Sequence, residues 1–168
     1  MEGSHSWTIV RVSKTRGSNP YAGSNPAPSA MKLEFSAGGI VVKKEKDKVF
    51  ILVSQHSGHH GWVFPKGKIG DHVENEGKEE TALREVKEET GAEGKILRPV
   101  KPVTYYFKWE GKTVKKTVYY FIMEYLSGDI TKHDWEMENV EWLEVEEVEK
   151  RLTYPSDRKV WRKAQKLI

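Results

Sequence analysis

The chain has 168 residues, 37% of them hydrophobic, and a formal net charge of +3 at pH 7, which suits one compact domain plus a tail. It has no cysteine, so disulfides, thiolate nucleophiles and thiolate zinc sites are excluded and any metal must sit on oxygen or imidazole. No apolar run approaches the roughly 18 to 20 residues needed to cross a bilayer, and nothing near the N-terminus resembles a secretory signal; the expectation is a soluble, cytoplasmic protein with no membrane partner.

Residues 1–30 are rich in Ser, Gly, Pro and Asn and stop at Met31, and such a composition cannot bury enough apolar surface to offset its ordering entropy. They read as a disordered leader or an expression scar, with residues 31–168 as the folded domain. Arg11, Lys14 and Arg16 stand there against Glu2 alone, so this segment carries two of the three net positive charges. The nearly neutral body gives weak support for bulk binding to nucleic acid.

From Met31 the pattern is strand-like: residues 34–44 (EFSAGGIVVKK), 48–55 (KVFILVSQ) and a short WVFP segment after the SGHHG turn. His56, His59 and His60 lie around that turn with no companion ligands, which suits solvent exposure better than a metal cluster. Residues 77–90 change period. Ala82, Leu83, Val86 and Thr90 fall three to four apart, and Gly91 stands where a helix C-cap glycine belongs, so an amphipathic helix is predicted. Two long strands follow, residues 96–109 and 113–126 with a turn at Gly111, then a short strand over 139–145. The tail predicts two short helices broken at Pro155, with Ser156 or Asp157 as the second N-cap. Strands, helix, strands, helices together predict an α+β or α/β sandwich with a mixed sheet.

Glu85, Glu88 and Glu89 fall at i, i+3 and i+4 of the predicted helix, which puts three carboxylates on one face, opposite the Ala82, Leu83, Val86 stripe. At roughly 5 to 6 Å and an effective dielectric near 20, each like-charge pair costs about 3 kcal/mol, and a divalent cation removes that cost. Magnesium, or manganese, suits such a face because it binds a few carboxylates together with phosphate oxygens and retained waters. A solvated acidic helix with a Glu80, Arg84, Glu88 ion-pair ladder is the plainer alternative.

The neighbouring residues decide between these. Gly70, Glu76, Arg84, Glu85, Val86, Glu88, Glu89 and Gly91 fit the spacing of the Nudix box, with only the final aliphatic place weakened to Ala92, and the six charged or glycine positions from Glu76 onward would coincide by chance on the order of once in 10⁷ starts. The segment therefore resembles the Nudix hydrolase family, whose fold is an α/β/α sandwich with a mixed sheet and the box helix on one side. That resemblance implies Glu85, Glu88 and Glu89 as magnesium ligands, with a water activated by a carboxylate as the nucleophile. It also implies Arg84 pairing with Glu76 or a neighbouring carboxylate. The box glycine has two candidates, Gly70 at the literal spacing and Gly67 at the end of the FPKG run. Gly67 is favoured as the backbone-carbonyl ligand, because a strand-ending glycine lets the backbone turn toward a metal.

Over about residues 33–150 the chain is similar to the Nudix subgroup that cleaves diadenosine tetraphosphate and related dinucleoside polyphosphates. The likeness implies a nucleoside polyphosphate substrate, Lys66 as a phosphate contact, Tyr105, Tyr106 and Tyr119 as candidates for stacking on adenine, and a functional glutamate at Glu136. Glu138, Glu141 and Glu144 surround Glu136 and could equally be solvated. Two competing activities use the same box, an RNA 5′ pyrophosphohydrolase and a nucleotide-pool sanitising pyrophosphatase. Lys108, Lys112, Lys115 and Lys116 would serve the first as a groove or simply protect a hairpin edge. A non-catalytic, nucleotide-binding regulatory Nudix domain is the alternative of another class, and the intact glutamates argue against it.

Overall fold

The computed structural model describes residues 31–168; the expectations for residues 1–30 lie outside them. In chain order the elements are β1 (Lys32–Glu45), β2 (Lys48–His56), β3 (Trp62–Val63), β4 (Lys66–Lys68), α1 (Lys78–Thr90), β5 (Ala92–Pro99), β6 (Val103–Trp109), β7 (Lys112–Gly128), a single 3-10 turn (Ile130–Lys132), β8 (Met137–Glu144), α2 (Val145–Arg151) and α3 (Pro155–Ala164). β1 and β7 run parallel, in register from Lys32 with Val114 to Val42 with Glu124, and form the centre of one sheet. Every other pairing is antiparallel: β2 and β4 on β1, β3 and β8 on β2, β5 and β6 on β7.

The continuous apolar run of β1 has a physical reason. Val41 faces one layer, with Ala82 and Val86 of α1, Leu52 and Phe121. Its neighbours Ile40 and Val42 face the other, with Val148 of α2 and Val160 and Trp161 of α3. A strand covered on both sides cannot alternate polar and apolar residues. Helices on both faces of a mixed sheet make this the α/β/α sandwich that the family resemblance implied. Among the described residues no helix is long and apolar enough to cross a membrane.

Three details differ from expectation. The segment 96–109 is two strands, because Pro99 and Pro102 interrupt it; Pro102 has no N–H to donate, and between them Val100 donates to the Tyr120 carbonyl at 2.8 Å. Pro155 opens α3 at its first position, where its missing N–H costs nothing, and the N-cap is Tyr154. Asp157 is buried and accepts from the Tyr120 hydroxyl at 3.3 Å. Finally, Leu83 is 38% exposed, whereas Glu85 and Glu89 are buried with Ala82 and Val86. The carboxylates therefore flank the apolar stripe instead of opposing it.

Gly38 and Gly39 let the sheet approach its neighbours closely enough to build that arrangement. A Cβ on Gly38 would overlap the Pro65 carbonyl oxygen at the start of β4, and one on Gly39 would press on the Val86 and Met123 side chains beneath α1. Gly39 N–H also donates to the Pro65 carbonyl at 3.1 Å. Gly38→Ala should therefore lower stability by about 1–3 kcal/mol in guanidinium unfolding, as overpacking does, and lower activity by shifting Pro65–Gly67. An unchanged unfolding midpoint would contradict this close approach.

Candidate active site

A cavity of about 540 Å³ opens between the C-terminal half of α1, β4, the loop after β4 and the segment leading into β8. Its lining includes Gly67, Glu85, Glu88, Glu89, Lys66 and Glu136, so residues far apart in sequence share one wall. Glu89 Oε2 accepts the Lys66 backbone N–H at 3.0 Å. A Cβ on Gly67 would overlap the Glu85 carboxylate, so only glycine allows this main chain to lie against that group. Gly70 has a φ of +76° with nothing near its Cβ position, the geometry of a turn glycine. Gly67, not Gly70, faces the carboxylates.

Arg84 holds the helix end together. Its guanidinium binds Glu76 twice, Nε at 2.9 Å and Nη2 at 3.0 Å, and reaches Glu85 at 2.7 Å and Glu88 at 2.9 Å through Nη1. Hydrogen bonding from Arg84 pulls Glu76 below the usual carboxylate range. Burial acts the opposite way on the other two: it raises Glu85 despite Arg84, and pushes Glu89 up to about 8 despite Lys66. Burial disfavours the charged form of both, and a cation beside them would favour it. The donor set, several carboxylates on one cavity wall, fits a hard divalent ion.

The segment from Asp134 to Glu136 forms the opposite rim. Glu136 lines the cavity, while its acidic neighbours are occupied elsewhere: Glu138 pairs with His60, Glu141 with Arg151 and Glu144 with Lys48. The ordinary explanation thus applies to three of the four glutamates.

The tyrosines separate. Tyr105 packs on the α3 face, within electrostatic reach of Lys66 and Asp157. Burial pulls the Lys66 ammonium down, but Asp157, Tyr105 and Glu89 outweigh it and its pKa is raised. Lys116, opposite Tyr105 across the β6–β7 pairing, is lowered to about 8 by burial and by Lys66. Tyr119 packs on the α1 face with Lys78 Nζ 5.2 Å from its ring centroid, and Tyr106 is 44% exposed. None of the three lines the carboxylate cavity.

The histidine turn is better packed than expected. His59 stacks on His56 with ring centroids 4.3 Å apart and its Nδ1 lies 2.8 Å from the Tyr154 hydroxyl; burial lowers it to about 4.

Sequence reasoning missed Asp71, His72, Asp134 and Trp135, all lining the cavity. Asp71 and His72 each bring one ligand atom within 4.8 Å of Glu85. The three-residue offset between Gly67 and Gly70 was the signal for a loop insertion there, whereas Asp134 and Trp135 gave none.

The NUDIX domain family profile matches residues 33–164, and the chain belongs to the Nudix family. Members of that family generally use divalent metals such as Mg²⁺. It is 33% identical over 168 residues to a "Putative mutator protein MutT4" of Mycobacterium tuberculosis (strain CDC 1551 / Oshkosh), covering 96% of this chain and 65% of that protein. It is 33% identical over 99 residues to the asymmetrical bis(5′-nucleosyl)-tetraphosphatase of Mus musculus, covering 58% of this chain and 65% of that protein. The matches thus span 65% of the length of each of these relatives. Among solved structures it resembles an Ap4A hydrolase binary complex from C. elegans, with a TM-score of 0.61 and 26% identity over 80% of this chain and 96% of that one.

The raised Glu89 gives a signed pH dependence. Its carboxyl ionises near 4.5 when unfolded and about 8 when folded, so its stabilising contribution is complete below the lower value and is lost as pH rises through the higher. In excess chelator, Glu89→Gln should become increasingly more stable than the wild type between about pH 5 and pH 9, measured as the difference in Tm. A difference that stays constant with pH would contradict the burial of an unneutralised carboxylate.

Proposed function

We propose that this enzyme hydrolyses a phosphoanhydride bond in dinucleoside polyphosphates, cutting diadenosine tetraphosphate asymmetrically into ATP and AMP. The observation that carries the reading is the convergence of Glu85, Glu88, Glu89, Gly67 and Glu136 on one cavity that Lys66 also lines. The likeness to the mouse tetraphosphatase and the C. elegans Ap4A hydrolase supports the substrate class. A 33% identity over 115 residues to an 8-oxo-(d)GTP phosphatase of Mycolicibacterium smegmatis (strain ATCC 700084 / mc(2)155) supports a second reading, hydrolysis of an 8-oxo-(d)GTP-like nucleotide by the same carboxylates.

In this reading Glu85, Glu88, Glu89 and the Gly67 carbonyl would hold magnesium or manganese, which would supply positive charge to offset that of the transferring phosphoryl group. Arg84 keeps the helix carboxylates in place through Glu76. Glu136 accepts a proton from the attacking water as its oxygen bonds to phosphorus, and the bond from phosphorus to the bridging oxygen breaks, releasing the other nucleotide. The Lys66 ammonium meets phosphate oxygens, and Tyr105, close to it, stacks on one adenine. Tyr106 and Tyr119 remain alternatives for that contact only if the base lies on the opposite sheet face.

Chromatography of a diadenosine tetraphosphate digest should show ATP and AMP in equal amounts, with turnover abolished by chelator and restored by magnesium; ADP as sole product would reject the asymmetric cut. Exposed Glu88 allows a clean substitution, and Glu88→Gln should lower kcat about a hundredfold or more with the fold intact.

Glu136→Gln should lower kcat by about 10²- to 10⁴-fold, while Glu138→Gln and Glu141→Gln have mild effects because their carboxylates are paired elsewhere. Equal, mild effects in all three variants, measured across pH, would remove Glu136 from the proton-transfer role.

A further inference from the structure

Trp135 is 83% exposed, yet the chain on both sides of it is fixed. Asp134 N–H donates to the Glu88 carbonyl at 3.0 Å, which ties one side to the end of α1. The Glu136 carbonyl accepts from Ser57 N–H at 2.8 Å and from Ser57 Oγ at 2.9 Å, which ties the other to the end of β2. Between these anchors Glu136 N–H donates to Asp134 Oδ1 at 3.0 Å, closing a short side-chain turn whose outermost residue is the tryptophan. A lone exposed apolar side chain ordinarily needs no explanation. This one is different because the anchors fix its main chain where Trp135 lines the carboxylate cavity, whose wall also includes Lys132, Lys68 and His72.

An exposed π-face and a cation lining one cavity are a combination that can receive a nucleotide: the base stacks and the ammonium meets the phosphate. Tyr105 and Lys66 already offer such a combination on the α3 face. We propose that Trp135 stacks on the purine base of the second nucleoside of a dinucleoside polyphosphate, on the far side of the carboxylates from Tyr105, with Lys132 meeting the phosphate next to that nucleoside. This rests on the function proposed above and adds to it the reason for a two-headed substrate: one base is held on each side of the scissile bond.

Stacking of this kind binds ground state and transition state alike, so its loss appears in KM and leaves kcat little changed. Trp135→Ala should raise KM for diadenosine tetraphosphate roughly 5- to 100-fold, with Trp135→Phe recovering much of the loss. Adenosine 5′-tetraphosphate, which lacks the second nucleoside, is the control; used as a competitor it reports binding whether or not it is turned over. Its inhibition constant should be the same for wild type and Trp135→Ala. An equal loss for both nucleotides, a loss confined to kcat as expected from a disturbed Glu136, or no loss would each overturn the assignment. Absence of diadenosine tetraphosphate turnover by the wild type would instead remove the substrate reading, and this inference with it.

Discussion

Glu85 and Glu89 are 7% and 5% exposed, and the close contact between α1 and β4 that buries them governs the rest of the site. Two carboxylates one turn apart repel by about 3 kcal/mol at an effective dielectric near 20, and burial adds a solvation cost to each. The protein answers with directional groups: the Lys66 backbone N–H on Glu89, Arg84 on Glu85, and a glycine at position 67 where any side chain would displace the Glu85 carboxylate. These contacts offset part of the cost, and the raised ionisation of both acids shows that a remainder persists. A divalent cation would offset that remainder, and a set of carboxylates of this kind suits a hard ion.

Close packing is what makes the arrangement possible. Gly38 and Gly39 on β1 bring β4 and α1 against the sheet at adjacent positions, so the main chain that carries Gly67 and the helix that carries the carboxylates share one support. Arg84 works on a different axis. By binding Glu76 with two nitrogens and reaching Glu85 and Glu88 with a third, it fixes the incoming loop to the helix and restrains the acids it neutralises. The rim from Asp134 to Glu136 is held in turn by the helix end and by Ser57. Catalytic geometry of this kind depends on backbone anchors, because long acidic side chains alone would sample too many rotamers.

Periodicity and spacing were enough to read the box helix, its glycine cap, the sheet-rich layers and the placement of Arg84, Glu85, Glu88 and Glu89 together on that helix. These are local properties: side chains three or four residues apart on a helix meet whatever the rest of the chain does. The interruption at Pro99 and Pro102 was also written in the sequence, where two prolines should have divided the long segment. The exposure of Leu83 and the burial of Glu85 were not legible, because the width and direction of a helix's buried face depend on what packs against it.

Tertiary structure alone decided the long-range meetings. Gly67 was separated from Gly70 as the residue facing the carboxylates by contact with a side chain eighteen positions later. Glu136 was distinguished from Glu138, Glu141 and Glu144 because strand pairing in β8 sends those three to ion pairs with His60, Arg151 and Lys48. Tyr105 was separated from Tyr106 and Tyr119 by strand alternation together with the choice of which sheet face α3 covers. A one-dimensional pattern fixes which residues share a helix turn or a strand face, but which face meets which element depends on how the strands are ordered and on which helix covers each side.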